Sequence, residues 1–285
     1  VNWSLVDLLP EGERIHILDV GAALSEIPSY QGLIDAGCAR ITGFEPDLAE
    51  CDRLNQMYGD PHRFYPCFVG DGMPATFHQT NWALTGSLFE PNMPLLDKFQ
   101  NLGELTRPVA TYPVMTQRID EITEIEGIDC IKIDVQGSEL AVLQHAQRIL
   151  PNVLLIQVEV EFVEMYRGQP MFSDVDAFIR GKGFQFHSFN QFGGRAFKPM
   201  APRGDVNASF RQWLWSDAVY VADWMKLDEL NNDQLRKYAV LAHDVLGSFD
   251  LAHLVLAALD SRIGGLAAEL YLMMHGEVEA FRDHD

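Results

Sequence analysis

The stretch Ile128-Asp129-Cys130-Ile131-Lys132-Ile133-Asp134-Val135-Gln136-Gly137-Ser138-Glu139-Leu140 decides the fold class. Its first part is a short run rich in isoleucine, and Gly137 breaks it. From Ser138 to Leu150, the residues Leu140, Leu143, Ala146, Ile149 and Leu150 recur at helical spacing. Strand, tight turn and helix together form half of a βαβ unit. Alternation along the strand puts Lys132 and Asp134 on one face, with Ile131, Ile133 and Val135 on the other. A charged pair in an otherwise apolar strand has two readings. It is an ion pair at the sheet end, or it marks an acid beside a reacting group, because ligands sit outside the carboxyl ends of parallel strands.

Working outward, the same rhythm repeats in IHILDV (15–20), ARITGFE (39–45), RFYPCFV (63–69) and VLLIQVEVEF (153–162), with helices expected at Ser25–Ala36 and Asp47–Met57. The expected fold is therefore α/β, a mostly parallel sheet flanked by crossover helices. Residues 72–117 interrupt the rhythm with Gly, Pro and Asn clusters around two short strands, ATFHQT and VATYPV, and read as a lid-like insertion. GFQFHSF (183–189) and QWLWSDAVYVA (212–222) read as an antiparallel pair closing the sheet. From Asp223 onward no proline occurs and apolar residues step by three and four, which predicts a small C-terminal helical appendage with Asp250 as an N-cap and Gly264 as a stop. The expected organisation is one domain over 1–222 and the appendage over 223–285.

The 285 residues carry a net charge of −20, and no basic patch interrupts it, so nucleic acid and anionic lipid are poor partners. No apolar run approaches the roughly 18 residues needed to cross a bilayer. Cys38, Cys51, Cys67 and Cys130 form no C-x-x-C pair, so neither a zinc site nor a disulfide frame is expected. The opening VNWSLVDLLP has no basic and apolar signal pattern, and a cytoplasmic setting with reduced thiols is the expectation.

Chemistry concentrates at the strand ends. Strand one runs into Asp19-Val20-Gly21-Ala22-Ala23, where a glycine lets the backbone turn beneath a ligand and present helix N-terminal amides. Strand two ends Gly43-Phe44-Glu45-Pro46, and an acid there can accept both ribose hydroxyls of an adenosine. A dinucleotide loop requires further glycines where this chain has Ala23 and Glu26, so S-adenosylmethionine, which has no phosphate, is favoured over NAD. Glu159 and Glu161 share a face of the fifth strand and approach Asp134 if strands four and five are neighbours. Three such carboxylates suit Mg²⁺ or proton abstraction, although acids without a required spacing are a weak metal signal, and no metal ligand is assigned. The chain has no H-E-x-x-H, G-x-S-x-G or Walker pattern, which removes zinc-hydrolase, serine-hydrolase and kinase readings.

DVGA after strand one, FEP after strand two, TGSL (85–88), Arg118-Ile119-Asp120-Glu121-Ile122 and IDCIKIDVQGSELAVLQHA together resemble the FkbM family of S-adenosylmethionine-dependent methyltransferases over residues 14–190. The most specific piece is Ile131–Leu140, similar to the family's IKIDVEGxE block with Gln136 in place of the acid. Ala23 and Ser25 replace an Asn and a Gly of the family's loop. The resemblance implies a class I, Rossmann-like methyltransferase fold and O-methylation of a sugar or natural-product hydroxyl, so the expected partner is a small-molecule acceptor such as a saccharide or polyketide. It also implies that Asp134 removes or orients the acceptor proton, with Glu159 and then Glu139 as further candidates. Asp19, Gly21 and Ala22 would serve the methionine end of the cofactor, Glu45 the ribose and Asp71 the adenine amine. An NAD-dependent oxidoreductase and a non-catalytic relative with a degraded loop are the competing expectations, and homo-oligomerisation stays open.

Overall fold

The computed structural model describes residues 3–24 and 27–275. Seven strands form one sheet in the order β3-β2-β1-β7-β8-β10-β9. They are β1 (Ile15–Val20), β2 (Ala39–Phe44), β3 (Arg63–Tyr65), β7 (Cys130–Ile133), β8 (Leu155–Glu161), β9 (Phe184–Gly193) and β10 (Trp215–Ala222). β1 pairs in parallel with β7, β7 with β8, and β2 with β3, whereas β10 runs antiparallel to both β8 and β9. The expected α/β sheet with an antiparallel closing pair is what the chain builds.

Every residue of β1 is buried, as a central strand covered on both faces requires. Ile131 and Ile133 of β7 pack with Leu143 and Val142 of helix α5 (Glu139–Gln144), and each fully buried Leu or Ile contributes about 1.5–3 kcal/mol. Helix α2 (Leu48–Tyr58) follows β2 and is capped by Asp47, whose side chain accepts from the Glu50 amide.

RFYPCFV does not remain one strand. Pro66 cannot donate to a ladder, and after it β4 (Phe68–Val69) leaves the main sheet for a three-stranded one in the order β4-β6-β5. β5 (Pro74–Thr80) and β6 (Pro108–Gln117) come from the 72–117 insertion and run antiparallel. β4 meets β6 only at Thr116 and Gln117, so Pro113 faces an open edge and costs no sheet hydrogen bond on that side. Two four-residue helices, α3 (Met93–Leu96) and α4 (Leu102–Leu105), lie between β5 and β6, and α6 (Phe172–Gly181) lies between β8 and β9.

Two compact units divide the chain. One takes His16–Ser25 and Ile41–Ala222, and the other takes Val1–Ile15, Glu26–Arg40 and Asp223–Asp285. The second holds α1 (Gln31–Asp35), α7 (Asn232–Val240), α8 (Phe249–Ile263) and α9 (Ala267–His275). Its N-terminal residues are tied to those helices: the Leu5 amide donates to Asp244, 239 positions away, and Lys237 pairs with Glu13 at 2.8 Å. Gly264 ends α8 in the left-handed conformation, as expected. Asp250 is a correction. The N-cap is Ser248, and Asp250 lies in the first turn, accepting from the Ser248 hydroxyl and the Leu251 amide. No helix among the described residues is long and apolar enough to cross a membrane.

Candidate functional site

The turn after β1 is set by one close approach. Gly21 has φ +79°, and a Cβ there would stand 1.8 Å from the carbonyl oxygen of Asp134, so only glycine fits. The amides that follow are already committed. Gly21 and Ala22 both donate to the Phe44 carbonyl, at 2.9 and 3.0 Å, and Ala23 donates to Glu45 Oε2 at 3.1 Å. This corrects the expectation of helix N-terminal amides presented by the turn. The first helix starts only at Gln31, because Pro28 disfavours helical backbone in the residue before it. Ser25 and Glu26, where that helix was expected to begin, lie outside the described residues.

Gly21, Glu45 and Asp134 line one cavity of about 850 Å³. Pro46, Asp47 and Val69 contribute to its wall beside Glu45, and the 72–117 insertion adds Phe77, Gln79, Leu84 and Tyr112. Glu45 is 7% exposed, with Oε1 accepting from the Asp47 amide at 2.8 Å and Oε2 from Ala23. Burial pushes its carboxyl above the usual range, opposed by those two amide bonds. Each oxygen keeps one further lone pair, so the carboxylate can accept a pair of hydroxyls.

Three other expected cofactor residues are not in that wall. Asp19 is buried against Lys132, Oδ1 to Nζ 3.5 Å. Lys132 also donates to the Gly21 carbonyl at 3.2 Å, so the pair braces the turn from below. Burial pulls the Lys132 ammonium down, but Asp19, Asp134, Asp217 and Glu159 outweigh it and hold the group above the ordinary lysine value. Ala22 is buried. Asp71 accepts from the Met73 amide and the Thr116 hydroxyl, which hold its carboxyl below the usual range.

The expected catalytic acids do meet. Asp134, Glu139 and Glu159 have oxygens within 4.8 Å of one another. Glu139 accepts from the amides of Val135 and Gly137. Burial nevertheless pushes it up to about 7, against those bonds and with help from Asp134. Glu159 and Glu161 are raised further by burial and by mutual repulsion with Asp134 and Glu139.

Sequence reasoning missed what sits between these acids. Gln136 Nε2 donates to Asp134 Oδ1 at 2.8 Å and to Glu159 Oε2 at 2.6 Å. Its amide oxygen accepts from the Tyr166 hydroxyl at 2.8 Å, and its carbonyl accepts from Ser87 Oγ at 2.6 Å. Tyr166 has one hydroxyl hydrogen for two acceptors, and the second, the Thr85 carbonyl at 3.0 Å, brings the TGSL segment into the cluster. Because Gln136 has φ +56°, a costly conformation for a side-chain-bearing residue, these bonds hold its backbone as well as its side chain. Mg²⁺ is not supported for these acids: the Glu139 carboxylate accepts from backbone amides, and Asp134 and Glu159 each share one oxygen with the Gln136 amide.

No curated protein matches the chain. Among solved structures, it is similar to the precorrin-6y C5,15-methyltransferase of Geobacter metallireducens (10% identity, covering 77% of this chain and 85% of that one, TM-score 0.37). It is also similar to a Listeria monocytogenes protein provisionally assigned as an S-adenosylmethionine-dependent methyltransferase (9% identity, covering 77% and 95%, TM-score 0.39). These likenesses are loose, and the assignment does not rest on them. The Methyltransferase FkbM domain matches residues 19–186, more than half of the chain and all of the strands and turns that line the cavity up to β8. With its strand order and this match, the chain belongs to the FkbM methyltransferase family and is an S-adenosylmethionine-dependent methyltransferase of class I, Rossmann-like fold.

Proposed function

We propose that the chain methylates a hydroxyl of a small neutral molecule, a sugar or a natural product, bound in the cavity beside Asp134. The observation that carries this is the shared wall: Gly21, Glu45 and Asp134 open onto one space of about 850 Å³, large enough for a nucleoside and a second small molecule. The charges of that wall support a cationic donor. Glu45, Asp47 and Asp134 line it, while the one arginine among its described lining residues, Arg53, is paired with Glu50 at 2.6 Å. The Gly21 and Ala22 amides donate to Phe44, so neither a pyrophosphate nor a methionine carboxylate would find donors in them, and the choice of cofactor rests on the family and on the acidic wall.

Glu45 would hold the ribose hydroxyls, with Ala23 and Asp47 fixing its carboxylate. Gly21 lets the backbone pass close to Asp134, and Lys132 and Asp19 keep the turn in place. When bound, S-adenosylmethionine supplies a methyl on a sulfonium, so that the acceptor oxygen gains the carbon and the electrons of the broken C–S bond return to sulfur. Asp134 takes the hydroxyl proton, and Glu159 and Glu139 stand behind it. Leu84, Phe77 and Tyr112 of the insertion keep water from that side.

Calorimetry with S-adenosylhomocysteine and with NAD tests the reading. Micromolar binding of the former, about −8 kcal/mol, with no heat from NAD, is the expected result. Binding of NAD alone would favour hydride transfer, and binding of neither would leave a non-catalytic relative.

A further inference from the structure

We propose that Gln136 is a positioning residue, its side-chain amide clamping Asp134 and Glu159 into one proton-sharing pair of which Asp134 faces the cavity. The geometry carries this. A single nitrogen donates to both carboxylates, at 2.8 and 2.6 Å, and it has two hydrogens to do so. A flipped amide would set its oxygen against two carboxylates, which disfavours the flip, and the unflipped amide oxygen lies 2.8 Å from the Tyr166 hydroxyl, whose one hydrogen it shares with the Thr85 carbonyl at 3.0 Å. Ser87 fixes the backbone from which the side chain projects. Asp134 and Gln136 line the cavity and Glu159 does not, so the clamp joins a surface acid to one behind it.

The charged and titratable groups around the pair come from every neighbouring element. Lys132 lies on β7, Glu161 on β8 and Glu139 on α5, while Tyr166 follows β8 and Asp19 and Asp217 face Lys132 from β1 and β10. Six carboxylates, Asp134, Glu159, Glu161, Glu139, Asp19 and Asp217, surround one ammonium, and burial with like-charge repulsion favours a proton being kept among them. Burial and the charge of Asp134 place that proton first on Glu159 or Glu161. An amide that donates to both members of the pair favours their ionised forms and keeps the shared proton exchangeable.

This inference rests on the reading of Asp134 as the group that takes the acceptor's proton, and the test separates the two. Side-chain carboxyl resonances of ¹³C-labelled protein are followed against pH in the wild type, Gln136→Leu and Tyr166→Phe, with circular dichroism as the check on folding. Without its two donors, the Gln136→Leu pair should bind protons about tenfold more tightly, a shift of about one pH unit upward. Tyr166→Phe should shift the same resonances in the same direction by less. Superimposable titrations of the folded variants and the wild type would overturn the clamp, and Tyr166→Phe decides the matter alone if Gln136→Leu does not fold. A shift in a protein that binds no S-adenosylhomocysteine would uphold the clamp and reject the cofactor reading.

Discussion

Gly21 and Asp134 approach so closely that a Cβ on the first would stand 1.8 Å from the carbonyl oxygen of the second. The two residues directly follow β1 and β7, and the Asp134 amide donates to the Val20 carbonyl at 2.9 Å. The cofactor turn and the expected base are thus joined through backbone, and a change at one is felt at the other.

Gly21→Ala should therefore damage both folding and binding. The new methyl collides with backbone, which cannot rotate away, and φ +79° strains any L-residue. A loss on the order of 2–4 kcal/mol in unfolding free energy is expected, together with weaker S-adenosylhomocysteine binding. Denaturant unfolding and calorimetry measure the two effects, and full stability would mean that the turn can rearrange.

Glu45→Ala removes the carboxylate that accepts from Ala23 and Asp47 and faces the cavity. Hydrogen bonds to a charged group contribute roughly 1.5–3 kcal/mol, so S-adenosylhomocysteine affinity should fall by about 10- to 100-fold. Wild-type affinity should also weaken as pH falls through the raised pKa of Glu45, because the protonated acid loses acceptor capacity. Calorimetry over a pH series reads both, and unchanged affinity in the variant would show that the ribose lies elsewhere.

Much of this frame was legible because it is local. IHILDV forms β1 at its predicted limits, and Gly21 and Glu45 stand out because a strand end followed by glycine or by an acid has few uses in sequence. What escaped depends on distance or on competition for donors. Tyr166 meets Gln136 across 30 positions, and no periodicity ties them. The RFYPCFV run looked continuous because β-branched and aromatic residues outweighed Pro66, whose missing N–H divides it between two sheets. Asp71 was visible as a turn acid, but whether its carboxylate points to a ligand or to Met73 and Thr116 is fixed by β6, 45 positions on.

The acid cluster gives a pH dependence of stability with a definite sign. Glu139 is raised from 4.5 to about 7 by burial, so the folded state holds a proton that the unfolded state releases near its ordinary value. Its contribution is complete below about 4.5 and is lost as pH rises through about 7. Wild-type melting temperature should decline across that window, and Glu139→Gln, uncharged throughout, should decline less. Equal slopes would show that Glu139 is not among the groups that take up the proton.

Asp134→Asn tests the chemical step itself. Asparagine keeps the size of the side chain and can still accept from Gln136, but it cannot take a proton near neutral pH. Because the substitution keeps the backbone contacts of residue 134 with Val20 and Gly21, S-adenosylhomocysteine affinity should stay within a few-fold of wild type while methyl transfer falls. General-base catalysis contributes roughly 10²- to 10⁴-fold, and loss of the base should cost an amount in that range, most clearly below neutral pH where an acceptor hydroxyl does not ionise unaided. Transfer of labelled methyl to a panel of hydroxylated sugars and polyketides, run with wild type and variant side by side, gives the measurement. An Asn variant that transfers methyl at the wild-type rate would remove Asp134 from the proton path and leave alignment of the acceptor oxygen as the main contribution of the protein.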